Sequence, residues 1–350
     1  MKSPEIRHFW WKFDFCCWNF RFFLTFFTLR FPQTDESYEV SIDKLSIKIR
    51  SKEIFGTIRA LETISQLIFW NDENNAYIFK QTVKDSPRFI YRGFMLDTSR
   101  HFMTKRAIFQ ILDGMTYNKL NVFHWHIVDE PSFPYESKIY PNLTIKSAYK
   151  PVQNHRYSLQ EISEIIEYAR FRGIRVIPEF DTPGHASSWC DGVGFENFCT
   201  KCVDRNNLVV NGPLNPSHEK TYEILDVLWS EIRSVFKDEY IHLGGDEVSS
   251  ICWLLDDHIR KWAVKNKIDL NGNSIQGYYM NRLYEISRKN EFKYMVWNEV
   301  FDGADSESIP DDEKPVVQIW KPWGPEVDSG WEETMEKATS EGYLKGGVKS

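Results

Sequence analysis

Basic residues are too few and too scattered in this chain to make a nucleic-acid surface. Lys and Arg number 43 against 50 acids, the formal charge is −7, and no basic stripe gathers anywhere. Long uncharged apolar runs are missing too. The most apolar stretch, HFWWKFDFCCWNFRFFLTFFTL, is broken by Lys12, Asp14 and Arg21 and falls short of the roughly 18 residues a membrane helix needs. It has no small-residue cleavage site, so it makes a poor signal peptide, and residues 1–34 stay an unassigned apolar leader. No Gly-rich fingerprint follows any strand-like run, which argues against a dinucleotide fold. The pair Cys199 and Cys202 in CTKC has no second CxxC or His pair to complete a zinc site. Disulfides to Cys252 are expected instead, and with them an oxidising compartment. One sequon, NLT at Asn142, fits that location.

Aromatic residues are abundant: 13 Trp, 16 Tyr and 25 Phe make 15% of the chain. Most belong in a core, but an enzyme for sugars also wants several on show, because aromatic faces pack on C–H-rich rings.

The pattern of apolar residues divides the chain. Over 38–49, Tyr38, Val40 and Ile42, then Leu45, Ile47 and Ile49, alternate as in half-buried strands. IFGTIRALETISQLI then puts Ile54, Ile58, Leu61, Ile64 and Ile68 on one helical face. Residues 35–90 read as a partial α+β domain. From 91 to 350 apolar strands alternate with amphipathic helices: FMLDTSRH, a helix from about Thr104, NVFHWHIV, then a helix with a Ser158/Glu161 capping box and Gly173 as its stop. IRVIPEF, a helix from Ser217, YIHLGG, YMVWNEVF and VVQIW follow. Such strands imply parallel β/α units, here an incomplete (β/α)8 TIM-type barrel of about six units, with GYLKGGVKS as a possible seventh.

The carboxyl ends of these strands carry the chemistry, as a barrel active site requires. Asp97 and Arg100 follow the first, Asp129 and Glu130 the second, Asp181 and His185 the third, Asp246 and Glu247 the fourth. Trp297 and Glu299 follow the fifth, and Trp320 the sixth. Carboxylates, an Arg and aromatic walls point to glycoside hydrolysis. Adjacent acids cannot easily flank one bond from opposite sides, so Asp246 and Glu247 are not the usual acid–nucleophile couple. Two other readings stay open from the residues: a metal-dependent barrel hydrolase using His124 and His126 of HWH, and a catalytically inactive fragment that binds glycans.

The motifs RGFMLDTSRHF, YNKLNVFHWHIVDEPSFPYES, EFDTPGH, HLGGDEV and VWNEVFD together resemble the β-N-acetylhexosaminidases of glycoside hydrolase family 20, close to the animal lysosomal enzymes, over about residues 38–342. The resemblance implies removal of terminal β-linked N-acetylglucosamine or N-acetylgalactosamine, with the substrate's own acetamido oxygen as nucleophile. It implies Glu247 as general acid and base, and Asp246 as the group that orients the acetamido N–H. Asp129 and His185 would tune the acid, Arg100 would grip the sugar hydroxyls, and Trp297 and Trp320 would wall the pocket. Cys252 would pair with Cys199 or Cys202. No metal or organic cofactor is implied. The expected partners are N-acetylhexosamine-terminated glycans or glycolipids and another subunit in a homo- or heterodimer, with no nucleic acid and no integral membrane anchor. A lysosomal or secreted location is implied. The family pattern runs on past residue 350, through a Tyr, a Trp and an acid of the sugar pocket, so a carboxyl-terminal truncation is expected.

Overall fold

The computed structural model describes residues 12–15, 18–21, 34–73, 75–149, 155–203, 206–302, 314–320 and 330–347. The apolar leader falls outside these except for a short hairpin, Lys12–Phe15 with Trp18–Arg21, and Thr34. No described helix is long and apolar enough to cross a membrane. The chain divides into two compact units. One gathers Met1–Gly93, Ile111–Asn121 and Ala169–Arg175; the other gathers Phe94–Gln110, Val122–Tyr168 and Val176–Ser350.

In the first unit β1 (Tyr38–Asp43) pairs antiparallel with β2 (Ser46–Ser51) on one side and β3 (Gln81–Asp85) on the other. Tyr38, Val40 and Ile42 are buried, as the alternation predicts, with Ile47, Ile49 and Val83 against them. Leu45 is the exception: it sits in the turn between β1 and β2 and is exposed.

Helix α1 (Ile54–Leu67) forms where expected but turns a different face inward. Its buried residues are Phe55, Gly56, Arg59 and Ala60, while Leu61 and Ile68 face water. The cause is close packing. A Cβ on Gly56 would lie 2.3 Å from the Ser37 carbonyl oxygen, so this turn of the helix closes on the chain before β1, while Ile64 and Leu67 still pack on the Tyr38, Val40, Ile42 and Ala60 core. Arg59 goes inside with them because Glu36 is there: Nε and Nη2 donate to Glu36 Oε1 at 3.0 and 2.8 Å. Arg92 holds the other Glu36 oxygen, so the buried charges are mutually satisfied.

The second unit is built on a seven-stranded sheet whose strands follow chain order. They are β4 (Gly93–Asp97), β5 (Val122–Val128), β6 (Arg175–Phe180), β9 (Tyr240–His242), β10 (Lys293–Trp297), β11 (Val316–Ile319) and β12 (Leu344–Gly347). The register is parallel, with Glu179 opposite His242, Tyr240 opposite Lys293, Met295 opposite Val316 and Val316 opposite Leu344. This is an incomplete barrel sheet, and GYLKGG supplies the seventh strand. Every residue of β5, β6, β9 and β11 is buried, as strands covered on both faces must be. A hairpin of β7 (Cys199–Val203) and β8 (Val209–Leu214) interrupts the repeat after β6.

The intervening helices follow their patterns. In α2 (Lys105–Tyr117) Ile108, Leu112 and Met115 are buried, and Thr104 Oγ1 caps the Ala107 N–H at 3.3 Å. α3 (Leu159–Arg170) carries the capping box: Ser158 Oγ accepts from Glu161 N at 3.2 Å and Glu161 Oε2 from Ser158 N at 3.1 Å. Gly173 follows it with φ +65°, a conformation that favours glycine. α4 (Glu219–Val235) starts two residues later than its sequence implies. Ser217 is taken by an Asx turn, its N–H and hydroxyl donating to Asn215 Oδ1 at 3.0 and 2.7 Å. Much of the aromatic content is core. Trp189 packs edge-on against Phe133 with centroids 5.1 Å apart, and Tyr135 edge-on against Phe180 at 5.3 Å.

Candidate active site

Six of the residues singled out at the strand ends form one connected polar chain. Arg100, three residues beyond β4, donates to Asp97 Oδ2 at 2.7 Å and pairs with Asp129 Oδ2 at 2.8 Å. Asp129, one residue past β5, is buried and also meets His126 Nε2 at 2.7 Å. His185, in the loop after β6, brings Nδ1 to 3.5 Å from Asp129 Oδ1. Its Nε2 lies 3.6 Å from Asp246 Oδ2 and 3.4 Å from Glu247 Oε2. Arginine, aspartate, histidine and the two adjacent acids are therefore neighbours in space.

The glycines before the acids have a steric reason. Gly244 and Gly245 adopt φ +71° and +98°. A Cβ on Gly244 would fall 1.7 Å from Asp181 Oδ1, and one on Gly245 2.2 Å from Val300 Cγ2. Only glycine lets the chain cross Asp181 this closely, and Asp181 Oδ1 in turn accepts the Gly245 N–H at 3.0 Å. Glu247 and His185 themselves hold left-handed backbone, at φ +49° and +50°, a strained geometry that clusters at functional sites. The turn leaves the two acids different. Asp246 is mostly buried, its side chain 16% exposed, whereas that of Glu247 is 59% exposed.

Charge is shared unevenly along this chain. Burial would raise the Asp129 carboxyl, but hydrogen bonds from His126 and His185 bring it down to about 2. His185 is disfavoured as a cation by burial, yet its bond to Asp129 and the charge of Asp246 raise it above its ordinary value. Asp246 is raised, first by burial and then by the charge of Glu179. Asp181 is raised well above its ordinary value by burial and by Asp246 and Glu179. The site thus separates an anion, Asp129, from two carboxyls that hold protons more tightly.

A stability prediction follows from Asp129. Its folded value lies below the ordinary 3.8, so it contributes stability above that pH and loses it as pH falls toward 2. Between about pH 5 and pH 2 the parent should lose roughly 2 kcal/mol more unfolding free energy than Asp129→Asn. Urea unfolding across that range checks this, and equal slopes would contradict it.

The two tryptophans stand on the next strand ends. Trp297 closes β10 and is buried. Trp320, 40% exposed just past β11, donates its indole N–H to Glu299 Oε2 at 2.9 Å and its backbone N–H to Asn298 Oδ1 at 3.3 Å. Glu130 is exposed at the rim. Asn142 is exposed on a short helix, Pro141–Ser147, and Thr144 of its sequon is buried with its hydroxyl on Tyr135 O.

Below the rim lies a group that reading the strands as simply apolar does not reveal. Glu179, inside β6, is fully buried and accepts from His124 Nε2 at 2.6 Å and Trp297 Nε1 at 2.7 Å. The sequence signal was a single acid in the otherwise apolar RVIPEF, facing the two histidines of HWH. His124 and His126, the pair that raised a metal reading, both converge on this carboxylate. Three His and carboxylate clusters bring possible ligand atoms within 4.8 Å of one another: His124 with Glu179 and His242, His126 with Asp129 and Asp181, and Asp181 with His185 and Asp246. Glu179 and Asp129 already hold side-chain N–H partners, so hydrogen bonding accounts for their burial, while Asp181 takes the Gly245 N–H on Oδ1 and leaves Oδ2 unpartnered among the described residues.

Two disulfides anchor the loop architecture. Cys202 takes Cys252, which settles the partner left open between Cys199 and Cys202, and Cys199 takes Cys190. The short helical turn Ser187–Trp189 also donates Ser188 Oγ to the Asp129 carbonyl at 2.6 Å. The Cys190–Cys199 disulfide thus ties the hairpin to this turn, and the Ser188 hydrogen bond ties the turn to the Asp129 loop.

Residues 89–343 match the profile of the glycosyl hydrolase family 20 catalytic domain, and residues 31–67 that of a β-acetyl hexosaminidase-like domain. The chain belongs to glycosyl hydrolase family 20. It is 43% identical over 294 residues to β-hexosaminidase subunit alpha of Mus musculus, covering 83% of this chain and 54% of that protein. It is 38% identical to β-hexosaminidase subunit beta of Homo sapiens, covering 89% and 53%. Among solved structures, a chitobiase of Flavobacterium johnsoniae superposes with TM-score 0.78 at 31% identity, covering 90% of this chain and 46% of that one. A β-N-acetylhexosaminidase of Bacteroides fragilis superposes with TM-score 0.76 at 27% identity, covering 89% and 61%. The chain spans about half the length of the curated relatives it matches. The parallel sheet with acids at its carboxyl ends is thus the catalytic-domain architecture of family 20.

Proposed function

We propose that this chain is a glycoside hydrolase that removes a terminal β-linked N-acetylhexosamine by substrate-assisted, retaining catalysis. The observation that carries this reading is the connected chain Arg100–Asp129–His185–Glu247 with Asp246 beside it. Glu247, the exposed acid at the head of that chain, donates a proton to the leaving oxygen as the anomeric C–O bond breaks. The substrate's acetamido oxygen forms the new bond to the anomeric carbon, closing an oxazolinium ring. Water then attacks that carbon from the face the leaving group vacated. Glu247 takes the water's proton, the ring opens, and the configuration is retained.

Asp246 accepts the acetamido N–H and stabilises the positive charge that spreads onto nitrogen. Its Oδ1 is buried and has no hydrogen-bond partner among the described residues, an acceptor placed for a donor from outside. Arg100 binds the sugar hydroxyls, while Trp297 and Trp320 wall the acetamido group. Asp129 and His185 set the charge around the acid, which works best with a proton affinity near the working pH. Glycans or glycolipids ending in N-acetylhexosamine are the substrates, and a dimer with itself or a related subunit is the assembly. The disulfides fit an oxidising compartment such as the lysosome or the secretory route.

The openness of Glu247 favours one second reading, a relative that binds such glycans without turning them over. The test is hydrolysis of a chromogenic β-N-acetylglucosaminide by the folded chain, with chelator present and beside the matched β-glucoside. Turnover of the acetamido substrate alone, unaffected by chelator, is expected. Equal turnover of the glucoside contradicts substrate assistance, loss with chelator returns the metal reading, and saturable binding without turnover favours the glycan binder.

A further inference from the structure

Glu179 is a fully enclosed acid of the second unit, and the proposed mechanism gives it no task. It is fully buried in the middle of the sheet, where an ionised carboxylate is costly unless it is well partnered. Its partners come from three other strands. From β5, His124 Nε2 sits 2.6 Å from Oε2 and His126 Nδ1 sits 2.9 Å from the same oxygen, the latter an ion-pair contact rather than an aligned hydrogen bond. From β10, the Trp297 indole N–H donates to Oε1 at 2.7 Å. From β9, His242 Nδ1 stands 3.4 Å from Oε1.

His242 is not a donor there. Its Nδ1 accepts the Gly244 N–H at 3.1 Å, so that nitrogen carries no proton, and burial lowers the ring's proton affinity further. The ring stacks on His124 with centroids 4.7 Å apart and lies 4.6 Å from the Trp297 ring. It thus links the Glu179 cluster by contact to the Gly244–Glu247 turn.

His126 is the opposite case. Its two nitrogens face two carboxylates, Glu179 at 2.9 Å and Asp129 at 2.7 Å. A ring between two anions is most stable with both nitrogens protonated. Burial opposes that charge, and so does the Arg100 guanidinium, whose Nη1 lies 3.3 Å from Nε2, but Glu179, Asp129 and Asp181 outweigh them. Glu179 itself is disfavoured as an anion by burial, yet the charge of His126 above all, with the hydrogen bond from His124, holds it well below its ordinary value. The other titratable groups nearby, Asp181 and Asp246, both hold protons more tightly than free carboxyls do.

We infer that Glu179, which lies beneath the pocket and touches no substrate, is the positioning residue of this site. One oxygen fixes the Trp297 wall. The other holds His124 and His126, and through His126 it holds Asp129, Arg100 and His185 beneath the acid. One buried carboxylate thereby keeps the wall of the pocket and the acid's supporting chain in common register. This rests on the hydrolase reading for its kinetic consequence, but not for its structural one.

The test compares the full chain with Glu179→Gln and Glu179→Asp, using histidine-selective 15N NMR and His126→Gln to assign the signal among nine histidines. In the parent, His126 is expected to keep its proton to a pH well above that at which an ordinary imidazole loses it. Glu179→Gln should shift that loss to clearly lower pH, and Glu179→Asp should leave it near the parent's. With a chromogenic β-N-acetylglucosaminide, Glu179→Gln should lower kcat about 100-fold with KM changed less than about threefold, the signature of misplaced groups rather than lost binding. Glu179→Asp should recover part of that loss.

A neutral His126 in the parent at pH 7 overturns the proposal, even if Glu179→Gln fails to fold. A folded Glu179→Gln with unchanged His126 titration and unchanged kcat overturns it as well. If the parent does not turn over the substrate, the hydrolase reading fails, while the His126 titration still decides the role of Glu179.

Discussion

Glu247→Gln is expected to cut kcat/KM about 1,000-fold on a β-N-acetylhexosaminide whose leaving group is a sugar alcohol. The amide keeps the shape and hydrogen-bonding capacity of the acid but cannot give up a proton. The size of the loss should follow the leaving group. A nitrophenolate departs readily without protonation, so the same variant should lose only about 30-fold on a nitrophenyl substrate. That ratio separates a general acid from a residue that only shapes the pocket, which would cost both substrates alike. Circular dichroism and a thermal midpoint near the parent's are the control. Glu247 is half out of the fold, its side chain 59% exposed, so the substitution should leave stability almost unchanged. Equal losses on the two substrates, or none, would contradict the assignment.

Asp246→Asn is expected to cost about 100- to 1,000-fold in kcat on either substrate, because electrostatic stabilisation of developing charge is independent of the leaving group. The reason lies in the geometry. Asp246 Oδ1 is buried with no hydrogen-bond partner among the described residues, and the carboxylate lies 3.6 Å from His185. An acetamido N–H entering the pocket supplies the missing donor, and its growing positive charge meets a negative one. Asparagine removes that charge, and in one of its two orientations sets an N–H against an N–H. Burial and Glu179 already raise the Asp246 carboxyl, so the anion forms only above that raised value. Activity in the parent should therefore fall on the acid side sooner than for an ordinary carboxylate. Initial rates from about pH 3 to 7 on both proteins check this, and an unchanged acid limb in Asp246→Asn would contradict it.

What the sequence made legible was the surface of the site rather than its foundation. HLGGDEV could be read because glycine before paired acids has a steric meaning, and Gly244 does cross Asp181 too closely for any Cβ. The order of strands was legible because apolar runs alternate with helical periods, and the parallel sheet keeps chain order. Glu179 was not singled out, since one acid inside RVIPEF says nothing about the four rings that surround it until the strands are laid side by side. The inward face of α1 was misjudged for a related reason. Counting large apolar residues favoured Ile58 and Leu61, whereas close approach to Ser37 selected Gly56, and the Tyr38, Val40 and Ile42 core selected Ala60. The Cys252 pairing could not be chosen from spacing, because Cys199 and Cys202 lie on one strand and only the hairpin's register decides between them.

Substrate assistance is decided by calorimetric binding of an oxazoline-mimicking thiazoline to the folded chain and to Asp246→Asn. Saturable, micromolar or tighter binding to the parent and about 100-fold weaker binding to the variant are expected, since the ligand's ring nitrogen meets Asp246. A folded parent that ignores the thiazoline, or a variant that binds it as well as the parent, would contradict substrate assistance by these two acids.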